Sequence, residues 1–316
     1  MSDRVTDNLP SKQADAVKLT FFSTGTVQIR QLMKNQPLSN RNVTMRRLRA
    51  MTDPNWSSDL PIGVFLISHP NGPILFDTGE SPCFNDPGFH AFYSPIKMFS
   101  RINISKKDGV VQQLRAHGVE PQSLQAIVLS HLHGDHAGGL EDIAKEAPDV
   151  PVYVSADHWK AFGNSPFTAT MAGCNPQRWP RDFSPRLLAN TDEAVGPWGK
   201  SSKITADGRI LAVDTPGHVP GHISLVVYGD NDDGTRTTYF LPGDATYGLD
   251  VLDLEEPDGI NDDPVTALRS LKLINEFARQ TDVVVLPSHD TETPRLLKDR
   301  VIYKPGQSGA PSSSTL

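Results

Sequence analysis

The densest group of residues that could do chemistry is the motif S-H-L-H-G-D-H at positions 130–136. It follows an apolar run, 126–129, of the kind that forms a buried strand. In an extended chain His131 and His133 point to the same side, so two imidazoles can bind one ion. A glycine then permits a sharp turn, after which Asp135 and His136 can face a second ion. Such density, in a chain with ten histidines in all, argues against unrelated polar residues in a loop.

Three more segments carry metal-binding residue types, each at or just beyond the end of a predicted strand. They are T-P-G-H-V-P-G-H at 215–222, Gly243-Asp244 and Ser288-His289-Asp290. Ligand sites of α/β folds gather at such strand ends. Nitrogen and carboxylate ligands in this mixture suit zinc, or iron, manganese or cobalt in its place.

These motifs resemble those of the metallo-β-lactamase superfamily, and within it most of all those of the acyl-homoserine lactone lactonases. S-H-L-H-G-D-H, T-P-G-H-V-P-G-H, G-D-A-T-Y and S-H-D occur in the family's order over residues 77–290. The resemblance implies an α/β fold, an αββα sandwich in which two mixed β-sheets are flanked by helices. It also implies two divalent metal ions, for which we expect Zn²⁺, with Fe, Mn or Co as alternatives.

The resemblance also implies roles for individual residues. The implied ligands are His131, His133 and His222 on one ion, Asp135, His136 and His289 on the other, and Asp244 as the bridge. His218 matches a neighbouring position that binds no metal. Asp77 matches a position that supports the site, and such outer groups orient ligands.

Tyr247 bears on the substrate. It lies three positions after Asp244, as does the tyrosine with which the lactonases contact the substrate carbonyl. A phenol there can stabilise a developing oxyanion. A buried structural tyrosine is the alternative interpretation.

The predicted reaction is hydrolytic ring opening. Two metals bridged by a carboxylate commonly share a water, whose pKa falls from about 15.7 toward about 7, so that hydroxide exists at neutral pH. We expect that hydroxide to attack a carbonyl polarised by one metal and by Tyr247, and Asp135 to protonate the leaving group. The expected substrate is a small, largely neutral lactone, or a lactam of similar size.

Other functions fit the same metal-binding motifs. A glyoxalase II-like thioesterase needs a basic site for glutathione, and the basic residues after His289 (Arg295, Lys298 and Arg300) do not match its known clamp. A persulfide dioxygenase-like protein would hold a single iron with fewer ligands. A non-catalytic binding protein would have lost the water. Metal analysis separates these, because two metals per chain disfavour a single iron.

Apolar runs predict the elements that must position these residues. The predicted strands are 18–22, 62–68, 73–76, 126–129, 152–155, 210–213, 223–228, 237–241 and 283–286. Pro70-Asn71-Gly72 predicts a turn between the second and third. We expect a helix that is capped by Asp108 and closed by Gly118, and residues 137–145 also have a helix-like pattern. A third helix should run from Asp263-Pro264 to about Ala278.

Two long segments, 81–107 and 162–208, lack strong periodicity. Loops of this length in a compact domain are usually functional or disordered. The second segment is rich in aromatic residues, so we expect packed loops that either line a substrate pocket or form satellite core.

Composition excludes some partners. The net charge of -7 and the pI near 5.8 argue against nucleic acid. The one basic cluster, Arg41, Arg46, Arg47 and Arg49, is expected to be a solvated face or to form a few surface ion pairs. No stretch resembles a signal peptide or a membrane span, and the two cysteines suggest free thiols, so we predict a cytosolic protein.

Ligand candidates spread from Asp77 to His289 require one domain. We predict a flexible N-terminus over 1–16, a hydrolase domain over 17–303 and a disordered tail over 304–316. The sequence leaves the oligomeric state open, and a homo-oligomer is compatible with it.

Overall fold

The computed structural model describes residues 16–39 and 41–307, and its strands form two mixed sheets. The first sheet contains β1 (Lys18–Ile29), β2 (Leu60–Ser68), β3 (Ile74–Phe76), β4 (Ser100–Asn103), β5 (Ala126–Val128), β6 (Val152–Ser155) and β7 (Arg186–Leu188). The second contains β8 (Ser202–Lys203), β9 (Ile210–Asp214), β10 (Ile223–Asp230), β11 (Arg236–Leu241) and β12 (Val283–Val285). The helices are α1 (Gln31–Lys34), α2 (Val43–Thr52), α3 (Ile96–Phe99), α4 (Val110–Ala116), α5 (Gly134–Ala137), α6 (Leu140–Glu146), α7 (Ala156–Phe162), α8 (Pro166–Met171), α9 (Leu249–Asp253), α10 (Pro264–Gln280) and α11 (Thr293–Asp299).

Strand order places the parallel pairs beside the predicted ligand motifs. The first sheet has the order β4-β1-β2-β3-β5-β6-β7, and the second has the order β12-β11-β10-β9-β8. β3 and β5 are parallel, as are β11 and β12. Because parallel strands end at the same edge of a sheet, the segments that follow them meet there.

Side-chain alternation buries both faces of each sheet. On β2, Phe65 and Ile67 pack between the sheets, whereas Val64 and Leu66 pack under the helices of the first sheet. The second sheet is covered on its outer face by α10. The layers are therefore helix, sheet, sheet and helix, which confirms the predicted αββα sandwich.

Local sequence signals predicted the start of α10 correctly and that of α4 to within one residue. Asp263 accepts hydrogen bonds from the backbone N–H groups of Val265 and Thr266, and so caps α10 as predicted. The predicted cap of α4 is wrong by one residue: Gly109 precedes that helix, and Asp108 closes a preceding 3₁₀ turn through Ser105.

Both segments that lacked periodicity contain short elements. Residues 81–107 include α3 and β4, and residues 162–208 include α8, β7 and β8. Each is at most six residues long, which is too short for a periodic pattern to identify it.

The basic cluster is not a uniformly solvated face. Arg46, on α2, is only 1% exposed, and its guanidinium donates to backbone carbonyls of Gln36, Pro37, Pro257 and Asp258. Carbonyl partners satisfy the donors that burial removes from water. The expectation of solvation therefore fails at Arg46.

The predicted flexible ends fall largely outside the described residues. Of the predicted tail, 304–307 is described, and Lys304 lies 2.7 Å from Asp282. Within 16–39 and 41–307, no helix has the length and apolar character needed to cross a membrane. The cytosolic location stays a prediction.

Candidate metal centre

The candidate ligands occupy segments that leave both sheets at one edge of the sandwich. His131 and His133 follow β5, and Asp244 and His289 follow β11 and β12. The motif at 215–222 joins β9 to β10, and its turns need Gly217 and Gly221, which have φ of 133° and 64°. Gly221 also packs against α7, where an added Cβ would lie 2.3 Å from the backbone nitrogen of His158.

Seven ligand-type side chains form two adjacent groups. One group consists of His131, His133, His218 and Asp244, and the other consists of Asp135, His136 and His289. Within each group the ligand atoms lie within 4.8 Å of one another. Six of the seven residues that the resemblance implied as ligands are thus brought together.

The seventh expected ligand, His222, is not part of either group. Its Nε2 accepts a hydrogen bond from the backbone N–H of Asp244 at 3.1 Å, and its Nδ1 pairs with Thr215 Oγ1 at 2.9 Å. Both ring nitrogens are therefore used by protein partners. His218, which was expected to bind no metal, lies instead in the group of His131, His133 and Asp244. Its Nε2 is 3.2 Å from His133 Nδ1. The geometry corrects the choice between these two histidines.

Asp244 faces both groups with different oxygens. Its Oδ1 lies 3.0 Å from His136 Nε2 and 3.2 Å from His289 Nε2. Its Oδ2 lies 3.5 Å from His218 Nε2 and 4.0 Å from His131 Nε2. A carboxylate placed in this way can bridge two ions.

The spacing of these atoms fits metal binding. Nitrogen ligands about 2.0–2.1 Å from a tetrahedral ion lie roughly 3.3 Å apart. His136 Nε2 and His289 Nε2 are 3.2 Å apart, as are His133 Nδ1 and His218 Nε2. Moreover, His131 Nε2 is buried without a hydrogen-bond partner, which is costly unless another group binds it. The donor set therefore fits divalent metal ions.

Outer partners fix the orientation of four imidazoles through the ring nitrogen that points away from the centre. Their acceptors are Ser130 Oγ for His131, Asp77 Oδ2 for His136, Asp258 Oδ2 for His218 and the Pro61 carbonyl for His289, at 2.8–3.2 Å. Each ring then keeps Nε2 for the centre. Asp77 thus supports the site, as the resemblance implied.

Burial and charge act in opposite directions within the centre. Burial lowers the pKa of His131 and His133 well below the usual value, and neighbouring histidines act in the same direction. At His136 burial also acts to lower the pKa, but the charges of Asp244 and Asp77 outweigh it and raise the pKa well above the usual value. Burial acts to raise the pKa of Asp244, yet His136 and His289 hold it well below the usual range. Asp244 is therefore an anion.

Tyr247 lies beside the carboxylate of Asp244. Its hydroxyl donates to Asp244 Oδ2 at 3.1 Å, and its ring stacks on His289 with centroids 5.3 Å apart. Burial, and next the charge of Asp244, raise the pKa of the phenol well above its usual value. The hydroxyl therefore stays protonated at neutral pH and can serve as a donor.

Two buried residues near the centre were missed by sequence reasoning. His158 Nε2 accepts from the backbone N–H of Leu132 at 2.9 Å, and its Nδ1 donates to the carbonyl of Pro220 at 2.7 Å, so one imidazole links both histidine motifs. Glu80 lies under Gly134, and burial raises the pKa of its carboxyl to about 8, with the charge of Asp135 adding to the effect. No local spacing marks either residue as functional.

The aromatic segment 162–208 divides between core and surface. Trp179 and Phe183 pack with Trp159, which is satellite core. Phe167 and Met171, on α8, are 65% and 49% exposed. The loop after that helix reaches the centre, because the carbonyl of Gly173 accepts from the backbone N–H of Gly134 at 3.2 Å.

Exposed aromatic side chains of the segment 81–107 contact the exposed face of α8. Tyr93, from the segment 81–107, lies 5.5 Å from Phe167 between ring centroids, and Phe92 is fully exposed beside it. The carbonyl of Phe89 accepts hydrogen bonds from Gln177 and Arg178, which tie the two segments together. The contact between Tyr93 and Phe167 thus joins the exposed apolar side chains of the two segments, and the loop after α8 meets His133 through the bridge between His133 and Cys174.

Comparison with known proteins identifies the family of this chain. The family model of the metallo-β-lactamase superfamily matches residues 59–289. The N-acyl homoserine lactonase AttM of Rhizobium radiobacter is 28% identical over 244 residues, which are 74% of this chain and 83% of that protein. The N-acyl homoserine lactonase AiiA of Bacillus thuringiensis subsp. kurstaki is 28% identical over 240 residues, again 74% of this chain and 83% of the relative.

Solved structures show the same fold. An N-acyl homoserine lactone hydrolase with the product N-hexanoyl-L-homoserine at its catalytic metal center superposes with a TM-score of 0.62 at 22% identity, covering 88% of this chain and 95% of the other. AidC, a dizinc quorum-quenching lactonase, gives a TM-score of 0.57 at 18% identity, covering 86% and 87% of the two chains. The chain therefore belongs to the metallo-β-lactamase superfamily and is a metal-dependent hydrolase.

Proposed function

We propose that this hydrolase holds two divalent ions and opens small, largely neutral lactones. The observation that carries the proposal is Asp244, which directs one oxygen toward each group of ligands. The proposed ligands are His131, His133 and His218 for one ion, Asp135, His136 and His289 for the other, and Asp244 for both. His218 replaces His222 in this set, and zinc is the expected metal.

Two ions in these positions would supply a water of lowered pKa and polarise a substrate carbonyl. The chain's own residues would do the rest. Tyr247, protonated and beside Asp244, would donate to the carbonyl oxygen as negative charge develops on it. Asp135 has 24% of its side chain exposed, the largest fraction among the carboxylates of the centre, so it can deliver a proton to the leaving oxygen as the ring opens.

The substrate class rests on two supports. The similar proteins AttM and AiiA are N-acyl homoserine lactonases. The exposed side chains of Phe92, Tyr93, Phe167 and Met171 offer an apolar surface to an acyl chain, and such surfaces in monomers are often binding sites. We further propose that residues 17–303 form the hydrolase domain.

A hydrolysis screen of the zinc-loaded protein tests the proposal. Lactones, lactams and glutathione thioesters of similar size should be compared, together with metal content by elemental analysis. We expect ring opening of lactones and two ions per chain. Thioester cleavage without ring opening would contradict the substrate class, and one ion or fewer would contradict the dinuclear centre.

A further inference from the structure

The segment 256–263, between α9 and α10, is bound to the second histidine motif on both sides of His218. Asp258 Oδ2 lies 3.2 Å from His218 Nδ1. The backbone N–H of Asp262 donates to the carbonyls of Gly217 and His218, both at 2.9 Å, and that of Asp263 donates to Gly217 at 3.0 Å. The side chain of Asp258 therefore holds the ring of His218, and the backbone of residues 262–263 holds the main chain beside it.

Asp258 itself is fixed in one orientation. It is 6% exposed, and its second oxygen, Oδ1, accepts from the backbone N–H of Ile260 at 2.9 Å. With one oxygen used within its own loop, the other is left for the imidazole. A carboxylate that accepts from Nδ1 makes that nitrogen the protonated one and leaves the Nε2 lone pair free to bind an ion.

Arg46 connects this loop to the N-terminal helices. Its Nη2 donates to the carbonyls of Pro257 and Asp258 at 3.2 and 2.9 Å, and also to that of Gln36 at 3.0 Å. Its planar guanidinium thus spans two chain segments more than 200 residues apart in sequence. A second link joins the same segments, because the backbone N–H of Gly259 donates to the carbonyl of Met33 at 3.0 Å.

We infer that Asp258 is a positioning residue for the metal ligand His218, and that Arg46 holds Asp258 in place from the N-terminal helical segment 31–53. The inference rests on the proposed function, since it takes His218 as a ligand. It gives the buried arginine a role in the metal site, although Arg46 touches none of the ligands. Outer carboxylates of this kind contribute about 10–100-fold to metal affinity.

Asp258→Asn tests the inference in the full-length, zinc-loaded protein. The affinity of each ion is measured by competition with a chromophoric chelator, and the cobalt-substituted protein gives a visible spectrum of the ligand set. We expect one ion to bind about 10–100-fold more weakly, the other to keep its affinity, and the cobalt spectrum to change. The matched control is Asp262→Asn, on the same loop, whose side chain is 51% exposed and pairs with Arg47; both affinities should stay as in the wild type.

A purely structural role predicts something else. If Asp258 only braces its loop, Asp258→Asn should lower the melting temperature while both affinities and the spectrum are unchanged, and the inference is then overturned. Equal weakening of both ions overturns it as well. If Asp258→Asn does not fold, Arg46→Lys is the second variant, because it keeps the positive charge but loses the planar guanidinium that donates to several carbonyls. This variant should weaken the same single ion. Unchanged affinities in it would overturn the inference.

Failure of the proposed function is recognised in the wild-type protein. Two ions in the wild type with an unaffected Asp258→Asn refute the inference alone. A wild type with one ion refutes the dinuclear centre. If His218→Ala removes that ion, Asp258→Asn must weaken it for the inference to hold; if His218→Ala leaves it bound, the inference falls with its premise that His218 is a ligand. A wild type that binds no ion refutes both.

Discussion

His218→Ala should lower the metal content, whereas His222→Ala should lower the stability of the metal-free protein. His218 Nε2 lies among the ligand atoms, so its removal deletes a donor from one ion. His222 uses both nitrogens on protein groups, so its removal leaves the buried N–H of Asp244 without its acceptor. An unsatisfied buried donor costs about 1–3 kcal/mol.

The expected magnitudes follow from these contacts. His222→Ala should lower the free energy of unfolding of the metal-free protein by at least about 1–3 kcal/mol. Its metal affinity should fall no more than about 10–100-fold, as for an outer partner, so both ions are retained under saturating zinc. His218→Ala should lose one ion under the same conditions.

Elemental analysis after zinc loading and urea denaturation of the metal-free proteins measure both effects. His117→Ala, which removes an exposed histidine on α4's C-terminal side, is the matched control and should retain both ions and near-native stability. The reasoning is refuted if His222→Ala loses an ion while His218→Ala keeps two.

Three further outcomes can be measured. Asp135→Asn should lower kcat at least ~10²-fold, in the range of a general acid–base group, while the fold persists; near-native turnover would remove Asp135 from proton transfer. Tyr247→Phe should lower kcat ~10-fold or more with two ions still bound, and an unchanged rate would leave Tyr247 a structural role only. Burial raises the pKa of the Glu80 carboxyl from 4.5 to about 8 in the folded state. Between those pH values the native protein binds a proton that the unfolded chain does not, so the stability of the wild type falls as the pH rises through them. Glu80→Gln should remove this loss, so its stability relative to the wild type should increase between about pH 5 and about pH 8 in urea titrations; a difference independent of pH would contradict the assignment.

Strands with continuous apolar runs were predictable because both faces of each sheet are buried. β2, β10 and β12 therefore stand out from their neighbours in the chain. β4, β7 and β8 form because another strand offers each of them a free edge, and nothing in their own two to four residues indicates that pairing.

The first histidine motif was predictable because its geometry is local. The second was not, since His218 and His222 both follow β9 and both are buried. Which of them reaches the centre depends on the turns at Gly217 and Gly221 and on the backbone of Asp244, which captures His222. Arg46 shows the same limit, because two of its four carbonyl partners, those of Pro257 and Asp258, lie more than 200 residues away in sequence.

The ligands are divided between the two sheets, and this division gives the ions a mechanical role. His131 and His133 extend from the first sheet, whereas Asp244 and His289 extend from the second. Bound ions would therefore cross-link the two sheets, and with them the early and late halves of the chain. An ion at a hundredfold excess over its dissociation constant adds about 2.7 kcal/mol to the folded state. Metal supply would then govern how long the chain survives proteolysis in a cell, as well as whether it turns over substrate.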